Sequence, residues 1–226
     1  MKKWEQLPPN MQNAAVRPYY DSLQRRQGFL FVKRCFDIVA SLLLIVLLSP
    51  ALLVLSVWIK LDSKGPVFYR QERITQYGRP FHIFKFRTMV TNADQIGALV
   101  TTQDDVRITR VGRRIRRARL DELPQLFNIL SGDMSFVGIR PEVRHYVDAY
   151  TDEMWASLLL PAGVTSPASI AYKDEDERLS TLTGQGMSTD EAYIRHILPE
   201  KMAFNLQYLR QCSIKQDLLT CIRTVI

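Results

Sequence analysis

Cysteine is scarce in this sequence, and its spacing matches no common disulfide or metal-binding pattern. Cys35, Cys212 and Cys221 make an odd number, and none of them belongs to a CxxC pair. These features argue against a disulfide framework and against a zinc site. We expect reduced thiols in a chain that faces the cytoplasm.

Ionisable side chains are absent from the 22 residues 38–59. A straight helix of that length, rising ~1.5 Å per residue, reaches ~33 Å, which matches the ~30 Å hydrocarbon core of a bilayer. The run begins too far from Met1 for an ordinary signal peptide. It therefore predicts a membrane helix.

Ser49 and Pro50 lie in the middle of this run, where proline lacks an N–H group and its ring clashes with the preceding turn. In lipid the freed backbone groups need a partner, and the Ser49 hydroxyl is well placed to supply one. A simple span should be basic on its cytoplasmic side only, but both flanks are basic here. We therefore predict a re-entrant hairpin broken at Ser49-Pro50, with a kinked true span as the alternative. The basic flanking residues are Arg25, Arg26, Lys33 and Arg34 before the run, and Lys60, Lys64, Arg70, Arg73 and Arg79 after it.

The predicted organisation has three parts: a loosely ordered N-terminal arm (1–28), the membrane hairpin (29–62) and a cytoplasmic catalytic domain (63–226). The net charge of +7 favours a polyanionic partner. In a chain with a lipid-embedded helix, phosphate head groups and anionic leaflets fit that charge better than nucleic acid. Apolar residues alternate with basic ones from Pro199 to Ile226. This pattern predicts amphipathic helices that lie on the membrane or close the core.

Three pairs of charged residues lie two or three positions apart in the sequence and are candidates for a role at the site. Arg34 and Asp37 are three residues apart and can pair on one helix face or meet the far arm of a hairpin. Lys85 and Arg87 fall on the same side of a predicted strand, where they either bind an anion or form a solvated face. Arg140 and Glu142 flank a proline in a rigid loop.

Residues 110–119 contain six arginines in ten positions. At helical spacing Arg113 and Arg117 share a basic face with Arg110 and Arg114, opposite Val111, Ile115 and Ala118. Guanidinium groups bind phosphate bidentately, so a lipid phosphate or a nucleotide diphosphate fits this face. A passive solvated face is the alternative.

Asp121 and Glu122 follow this stretch directly. Pro124 is tolerated only in the first turn of a helix and Gly132 is a natural stop, so Asp121 is expected at or beside an N-cap. Capping is its simplest role. A carboxylate beside a helix N-terminus and an arginine cluster would also stay ionised. The same helix end favours the binding of a phosphate.

Taken together, these segments resemble the bacterial sugar transferase family of monotopic phosphoglycosyl transferases, strongly over residues 30–142 and weakly beyond. The resemblance implies an α/β fold: a re-entrant membrane helix hairpin, a small, mostly helical cytoplasmic domain with a short sheet, and amphipathic interfacial helices. It places the protein on the cytoplasmic face of the bacterial inner membrane. The matching motifs are Lys33-Arg34-x-x-Asp37, Ser49-Pro50, Gly65-Pro-Val-Phe-Tyr-x-Gln71-x-Arg73, Lys85-Phe-Arg-Thr-Met89, Asp105-x-Arg-Ile-Thr-x-x-Gly112, Leu120-Asp-Glu-Leu-Pro-Gln125, Gly132-Asp-Met-Ser-x-Val-Gly138 and Arg140-Pro141-Glu142.

The resemblance also implies a reaction, the transfer of a phospho-sugar from a UDP-sugar to polyprenyl (undecaprenyl) phosphate with release of UMP. Such a step would initiate the assembly of a membrane glycoconjugate or exopolysaccharide. By position, Asp121 would be the nucleophile that carries the phospho-sugar, and Glu122 a Mg²⁺ ligand or proton acceptor beside it. Candidates for the diphosphate or the lipid phosphate are Lys85, Arg87, Arg113, Arg117 and Arg140, and Glu142 is a further candidate for substrate binding.

The chain departs from the family pattern at four places, and these put the sugar and uridine contacts in doubt. Thr75 replaces a common glycine and Ile139 a common proline. The loop 161–166 lacks its usual basic residue, and Asn205 stands where an aspartate is frequent.

Two other functions are considered: a non-enzymatic adaptor that binds anionic lipid, and a polyprenyl-phosphate phosphatase. Nucleic-acid binding ranks last, because no basic surface interleaved with aromatic residues lies outside the membrane-proximal elements.

Overall fold

The computed structural model describes residues 1–93 and 105–225, and these form two compact units. Unit 1 contains residues 1–37, 73–81 and 132–226, and unit 2 contains residues 38–72 and 82–131. The helices are α1 (Arg17–Gln24), α2 (Gln27–Asp62), α3 (Arg110–Arg117), α4 (Gln125–Ser131), α5 (Arg144–Val147), α6 (Pro167–Ala171), α7 (Glu175–Gly184), α8 (Thr189–Ala192), α9 (Leu198–Gln211) and α10 (Ile214–Val225). The strands are β1 (Phe68–Ile74), β2 (Pro80–Phe86), β3 (Met134–Val137) and β4 (Ala162–Thr165).

The apolar run lies in α2, which is 36 residues long and contains Pro50. The helix is continuous through this position, so the expected break at Ser49-Pro50 is wrong as a statement about secondary structure. It is long and apolar enough to cross a membrane, and only 11% of its most apolar window is buried. The re-entrant path of this helix stays a prediction.

Within the described residues, two sheets of two strands each confirm the mixed α/β character of the chain. β1 pairs with β2, and β3 pairs in parallel with β4, with Met134 opposite Ala162. The parallel strands approach closely because glycines face each other: a methyl group at Gly163 would lie 2.2 Å from the backbone nitrogen of Gly138. A longer crossover that includes α5 joins these two strands, as parallel pairing requires.

The N-terminal segment is part of the main hydrophobic core of unit 1, which corrects the expectation of a loosely ordered arm. Met11, Val16 and Leu23 are fully buried there. Tyr19 donates a hydrogen bond to Glu153 at 2.5 Å, and Arg210 donates to the Tyr19 hydroxyl at 2.7 Å. The scattered apolar residues gave no helical period because they pack individually against helices that lie far away in the sequence.

The last helix, α10, turns its polar side inward. Asp217 accepts hydrogen bonds from Lys33 of α2 at 2.5 Å and from Tyr208 of α9 at 2.7 Å. The outer face of α10 is apolar and exposed, which confirms its amphipathic character and leaves its position at a membrane surface a prediction. The exposed apolar residues are Ile214, Leu218, Leu219 and Ile222.

Candidate active site

Asp121 lies in a short 3₁₀ turn, Leu120–Glu122, between α3 and α4 in unit 2. Arg119 precedes the turn in the left-handed region with φ of 53°, and this reverses the chain after α3. α4 begins only at Gln125, so Asp121 is not its N-cap, contrary to expectation. The stop at Gly132 is confirmed by its φ of 90° directly after α4.

The acidic pair is surrounded by positive charge. Lys85 Nζ donates to Glu122 Oε1 at 2.9 Å, and both side chains are mostly buried. Burial raises the pKa of Asp121, Lys85 and Arg116 act to lower it, and the neighbouring Glu122 raises it further. A carboxylate with a raised pKa is more basic, and therefore more nucleophilic when ionised, than an exposed aspartate.

The position of Lys85 depends on Asn128, which the sequence analysis did not single out. The buried Asn128 amide donates to the His82 carbonyl at 2.9 Å and accepts the Phe84 backbone N–H at 2.8 Å. These two bonds hold β2 against α4 and so keep Lys85 within reach of Glu122. The one available signal was a polar residue inside the otherwise apolar segment 126–130.

Arg87 is engaged in the protein interior instead of facing a ligand. It is 5% exposed, and its guanidinium donates to the carbonyl oxygens of Ser63 at 2.7 Å and Lys64 at 3.1 Å. These carbonyls lie just beyond the C-terminal end of α2, so Arg87 holds that end of the helix. Lys85 and Arg87 do not form the expected shared face, because β2 ends at Phe86 and the two side chains bind different partners, Glu122 and the end of α2.

The basic helix α3 has the two faces that the sequence predicts. Val111 and Ile115 are buried, whereas Arg113 and Arg117 are exposed. Ala118, expected on the buried face, is exposed just after the helix ends. Asp62 accepts the backbone N–H of Val111 at 3.1 Å and so caps the helix start. Arg116, which was not among the candidates, is an α3 arginine whose charge lowers the pKa of Asp121.

Arg140 and Glu142 belong to unit 1. Arg140 is half-buried and lines a small cavity beside Thr75 and Tyr150. Glu142 is buried, and its carboxylate accepts the Tyr193 hydroxyl at 2.6 Å. These contacts assign Glu142 to the protein interior and give no support to the expected role in substrate binding.

Arg34 and Asp37 attach the first part of α2 to β3 and to the residue Gly132 just before it. Asp37 is 3% exposed and accepts the backbone N–H of Phe136 at 3.2 Å. Arg34 lies against Gly132, where an added Cβ would come 3.2 Å from its guanidinium. Both residues therefore have structural contacts within unit 1.

All the candidate residues described above lie in the part of the chain that one family model matches. The model of the bacterial sugar transferase family matches residues 28–226. The chain belongs to this family. Residues 1–27 lie outside the matched range.

Curated relatives of this bacterial sugar transferase carry related descriptions. It is 37% identical over 201 residues to a UDP-N-acetylgalactosamine-undecaprenyl-phosphate N-acetylgalactosaminephosphotransferase of Aeromonas hydrophila, covering 87% of this chain and 43% of the relative. It is 34% identical over 214 residues to the UDP-glucose:undecaprenyl-phosphate glucose-1-phosphate transferase of Klebsiella pneumoniae, covering 93% and 42%. The Caulobacter vibrioides protein described by that same name is 38% identical over 196 residues, covering 85% and 68%. The chain thus spans less than half the length of the first two relatives.

Oxygen ligands for a divalent cation are available in this sugar transferase at Asp121 and Glu122. Within residues 1–93 and 105–225, no group of three or more His, Cys, Asp or Glu residues is arranged to hold a metal ion. Mg²⁺ commonly binds through one or two carboxylates together with substrate phosphates and water. The donor set therefore fits a magnesium ion that arrives with a phosphorylated substrate.

Proposed function

We propose that this chain transfers a phospho-sugar from a UDP-sugar to polyprenyl phosphate, with Asp121 as the covalent nucleophile and UMP as the leaving group. The observation that carries the proposal is a mostly buried carboxylate pair placed among cations. Membership of the family and the descriptions of its relatives support the same reaction class.

In the first step, an Asp121 carboxylate oxygen attacks the phosphorus that bears the sugar, and the bond to the UMP oxygen breaks. In the second, an oxygen of polyprenyl phosphate attacks that phosphorus, and the bond to Asp121 breaks. The products are UMP and a polyprenyl diphosphate-linked sugar, and the carboxylate is regenerated. The sugar-bearing phosphorus is therefore transferred without net consumption of enzyme groups.

The main barrier is repulsion between anions. Two unit negative charges ~4 Å apart repel by ~4 kcal/mol at an effective dielectric constant of ~20. Lys85 and Arg116 supply positive charge next to Asp121, and Arg140, Arg113 and Arg117 are candidates for the diphosphate or the lipid phosphate. Bound Mg²⁺, held by Asp121 and Glu122, would neutralise further charge on the phosphates.

Membrane attachment serves this chemistry because the phosphate of a polyprenyl lipid lies at the bilayer surface. The exposed apolar side chains of α2, and the apolar outer face of α10 with Lys215 and Arg223 beside it, favour contact with an anionic leaflet. We assign the protein to the cytoplasmic face of the bacterial inner membrane, with α2 as a re-entrant helix. In sealed vesicles, tags at both chain ends should then be cleaved by protease from one side.

The reaction is tested with a panel of UDP-sugars and undecaprenyl phosphate in the presence of Mg²⁺. We expect UMP release that needs both substrates for multiple turnovers. With a UDP-sugar alone, mass spectrometry of the intact protein should show an added phospho-sugar on Asp121. Release of inorganic phosphate from polyprenyl phosphate without a UDP-sugar would instead indicate a phosphatase.

Asp121→Asn is expected to abolish both UMP release and the covalent adduct, since an amide cannot act as the nucleophile. Asp148→Asn is the matched control, because Asp148 is an exposed aspartate outside the candidate site. Full turnover in Asp121→Asn would contradict the proposal. A non-enzymatic lipid adaptor would bind anionic vesicles equally well with or without this substitution.

A further inference from the structure

A second cluster of buried charges lies in unit 1, around the Glu142 carboxylate. Lys201 donates to the Tyr193 hydroxyl at 2.8 Å, and that hydroxyl donates to Glu142 Oε1 at 2.6 Å. Lys201 also approaches Glu142 at 3.5 Å and Glu175 at 3.1 Å. The three groups Glu142, Tyr193 and Lys201 are called the Glu142 anchor below.

The Glu142 anchor fixes the loop that carries Arg140. The carboxylate of Glu142 is held by Tyr193 and Lys201, while its backbone carbonyl accepts the Ile74 N–H at 2.9 Å. The preceding carbonyl, that of Pro141, accepts a hydrogen bond from Arg73 at 3.2 Å. The segment 140–142 is therefore tied on one side to β1 and on the other to Tyr193, directly after α8, and to Lys201 of α9.

Tyr193 and Lys201 are eight residues apart, a spacing that does not normally align two side chains on a helix. At ~100° per residue they would point ~80° apart, whereas residues seven apart point only ~20° apart. The chain resolves this with a π-helical turn at Tyr193–Ile197, in which the Leu198 N–H donates to the Tyr193 carbonyl. The wider turn absorbs one residue, so position 201 occupies the place that position 200 would take in a regular helix.

Pro199 explains why the wide turn lies there. It has no N–H for the carbonyl of Arg195, and in a regular helix its ring would clash with that carbonyl. Residues 195 and 196 in the middle of the turn are exposed, whereas its first and last residues, Tyr193 and Ile197, are buried. Proline two residues before Lys201 thus sets the register that brings Lys201 to Tyr193.

We propose that Tyr193 and Lys201 are positioning residues for Arg140: the π-helical turn aligns them on Glu142, and the Glu142 anchor holds the Arg140 loop in the conformation that binds the substrate diphosphate. This inference rests on the proposed function for the role of Arg140. It adds two residues and a helix irregularity to the catalytic apparatus.

The test uses Tyr193→Phe, which removes one oxygen and keeps the ring packed against Tyr146, with ring centres 4.3 Å apart. Its matched control is Tyr172→Phe, because the Tyr172 hydroxyl also binds a glutamate, Glu200 of α9, which is not part of the Glu142 anchor. We expect the KM for the UDP-sugar to rise about fivefold in Tyr193→Phe and to stay unchanged in the control.

A double-mutant cycle separates positioning from a general loss of stability. If Tyr193 acts through Arg140, then Tyr193→Phe has no further effect on KM once Arg140→Ala is present. A purely structural role would give independent effects that multiply. Equal fivefold effects of Tyr193→Phe in both backgrounds would overturn the inference.

A measurement without substrate keeps this inference apart from the proposed reaction. Hydrogen exchange of the Ile74 amide, which is bonded to the Glu142 carbonyl, should be faster in Tyr193→Phe than in the wild type or in Tyr172→Phe. Unchanged exchange would overturn the Glu142 anchor even in an active enzyme. If exchange is faster in Tyr193→Phe but the wild-type protein releases no UMP, the Glu142 anchor stands and the proposed reaction is wrong.

Discussion

The Ser49 hydroxyl donates to the Val46 carbonyl oxygen at 2.8 Å, inside the apolar helix α2. In an uninterrupted α-helix that carbonyl would accept the backbone N–H of residue 50, which is a proline and has none. The serine therefore supplies the hydrogen bond that its neighbour removes. This allows a proline in the middle of an apolar helix without an unsatisfied carbonyl in lipid.

Ser49→Ala should lower the free energy of unfolding in lipid by about 1–3 kcal/mol, the usual cost of an acceptor left without its donor where water cannot replace it. Thermal unfolding in lipid nanodiscs measures this loss. Ser56→Ala is the control, because the Ser56 hydroxyl bonds the Leu52 carbonyl at 2.7 Å, which the helix already supplies with an N–H donor. Equal effects of the two substitutions would contradict the special role of Ser49.

Lys85→Met should shift the acidic limb of the pH profile of kcat to higher pH. The pKa of Asp121 is raised by burial and held down in part by Lys85, so loss of this cation raises the pKa further. Asp121 must be ionised to attack, and activity would then be lost at a higher pH as the solution is acidified. Lys85→Arg keeps the positive charge and should keep the limb nearer its original position. A limb that does not move in Lys85→Met would exclude Asp121 as its titrating group.

Arg87→Met should destabilise unit 2 by about 3 kcal/mol, since it removes the hydrogen bonds from a buried guanidinium to the carbonyl oxygens of Ser63 and Lys64. Chemical denaturation followed by circular dichroism measures the change. Arg113→Met is the matched control, because Arg113 is exposed on α3 and its loss should change stability by less than about 0.5 kcal/mol. If Arg87→Met were as stable as the control but lost substrate affinity, the assignment of Arg87 to the helix end would be wrong.

Gly112→Ala should disrupt the contact between α3 and Thr88 in the segment after β2. An added Cβ would lie 2.0 Å from the Thr88 carbonyl oxygen, a distance that only a backbone shift can relieve. We expect a fall in Tm together with a loss of activity, because α3 leads directly into the turn with Asp121. Gly28→Ala is the control: its added Cβ meets nothing within 4 Å, and alanine favours the helix. A Tm equal to that of the wild type would show that α3 can move away at no cost.

Much of this protein was predictable from local sequence patterns. The charge-free run indicated a long apolar helix, and the arginine spacing separated the two faces of α3, because both follow from the helical period alone. The ordered motifs around Asp121 and Arg140 indicated the family. The role of the Ser49 hydroxyl also follows from covalent structure, since it depends on a proline one position away.

Tertiary structure decided the roles of residues whose partners are distant in the sequence. Arg87 belongs to the end of α2, Glu142 is held by Tyr193 and Lys201, and Met11 and Leu23 complete a core with helices near the other end of the chain. A sequence shows that a side chain is charged or apolar, but it does not show which of many groups will neutralise or bury it. That choice is made by packing, since a buried arginine or glutamate is stable only where the folded chain brings hydrogen-bonding partners to it.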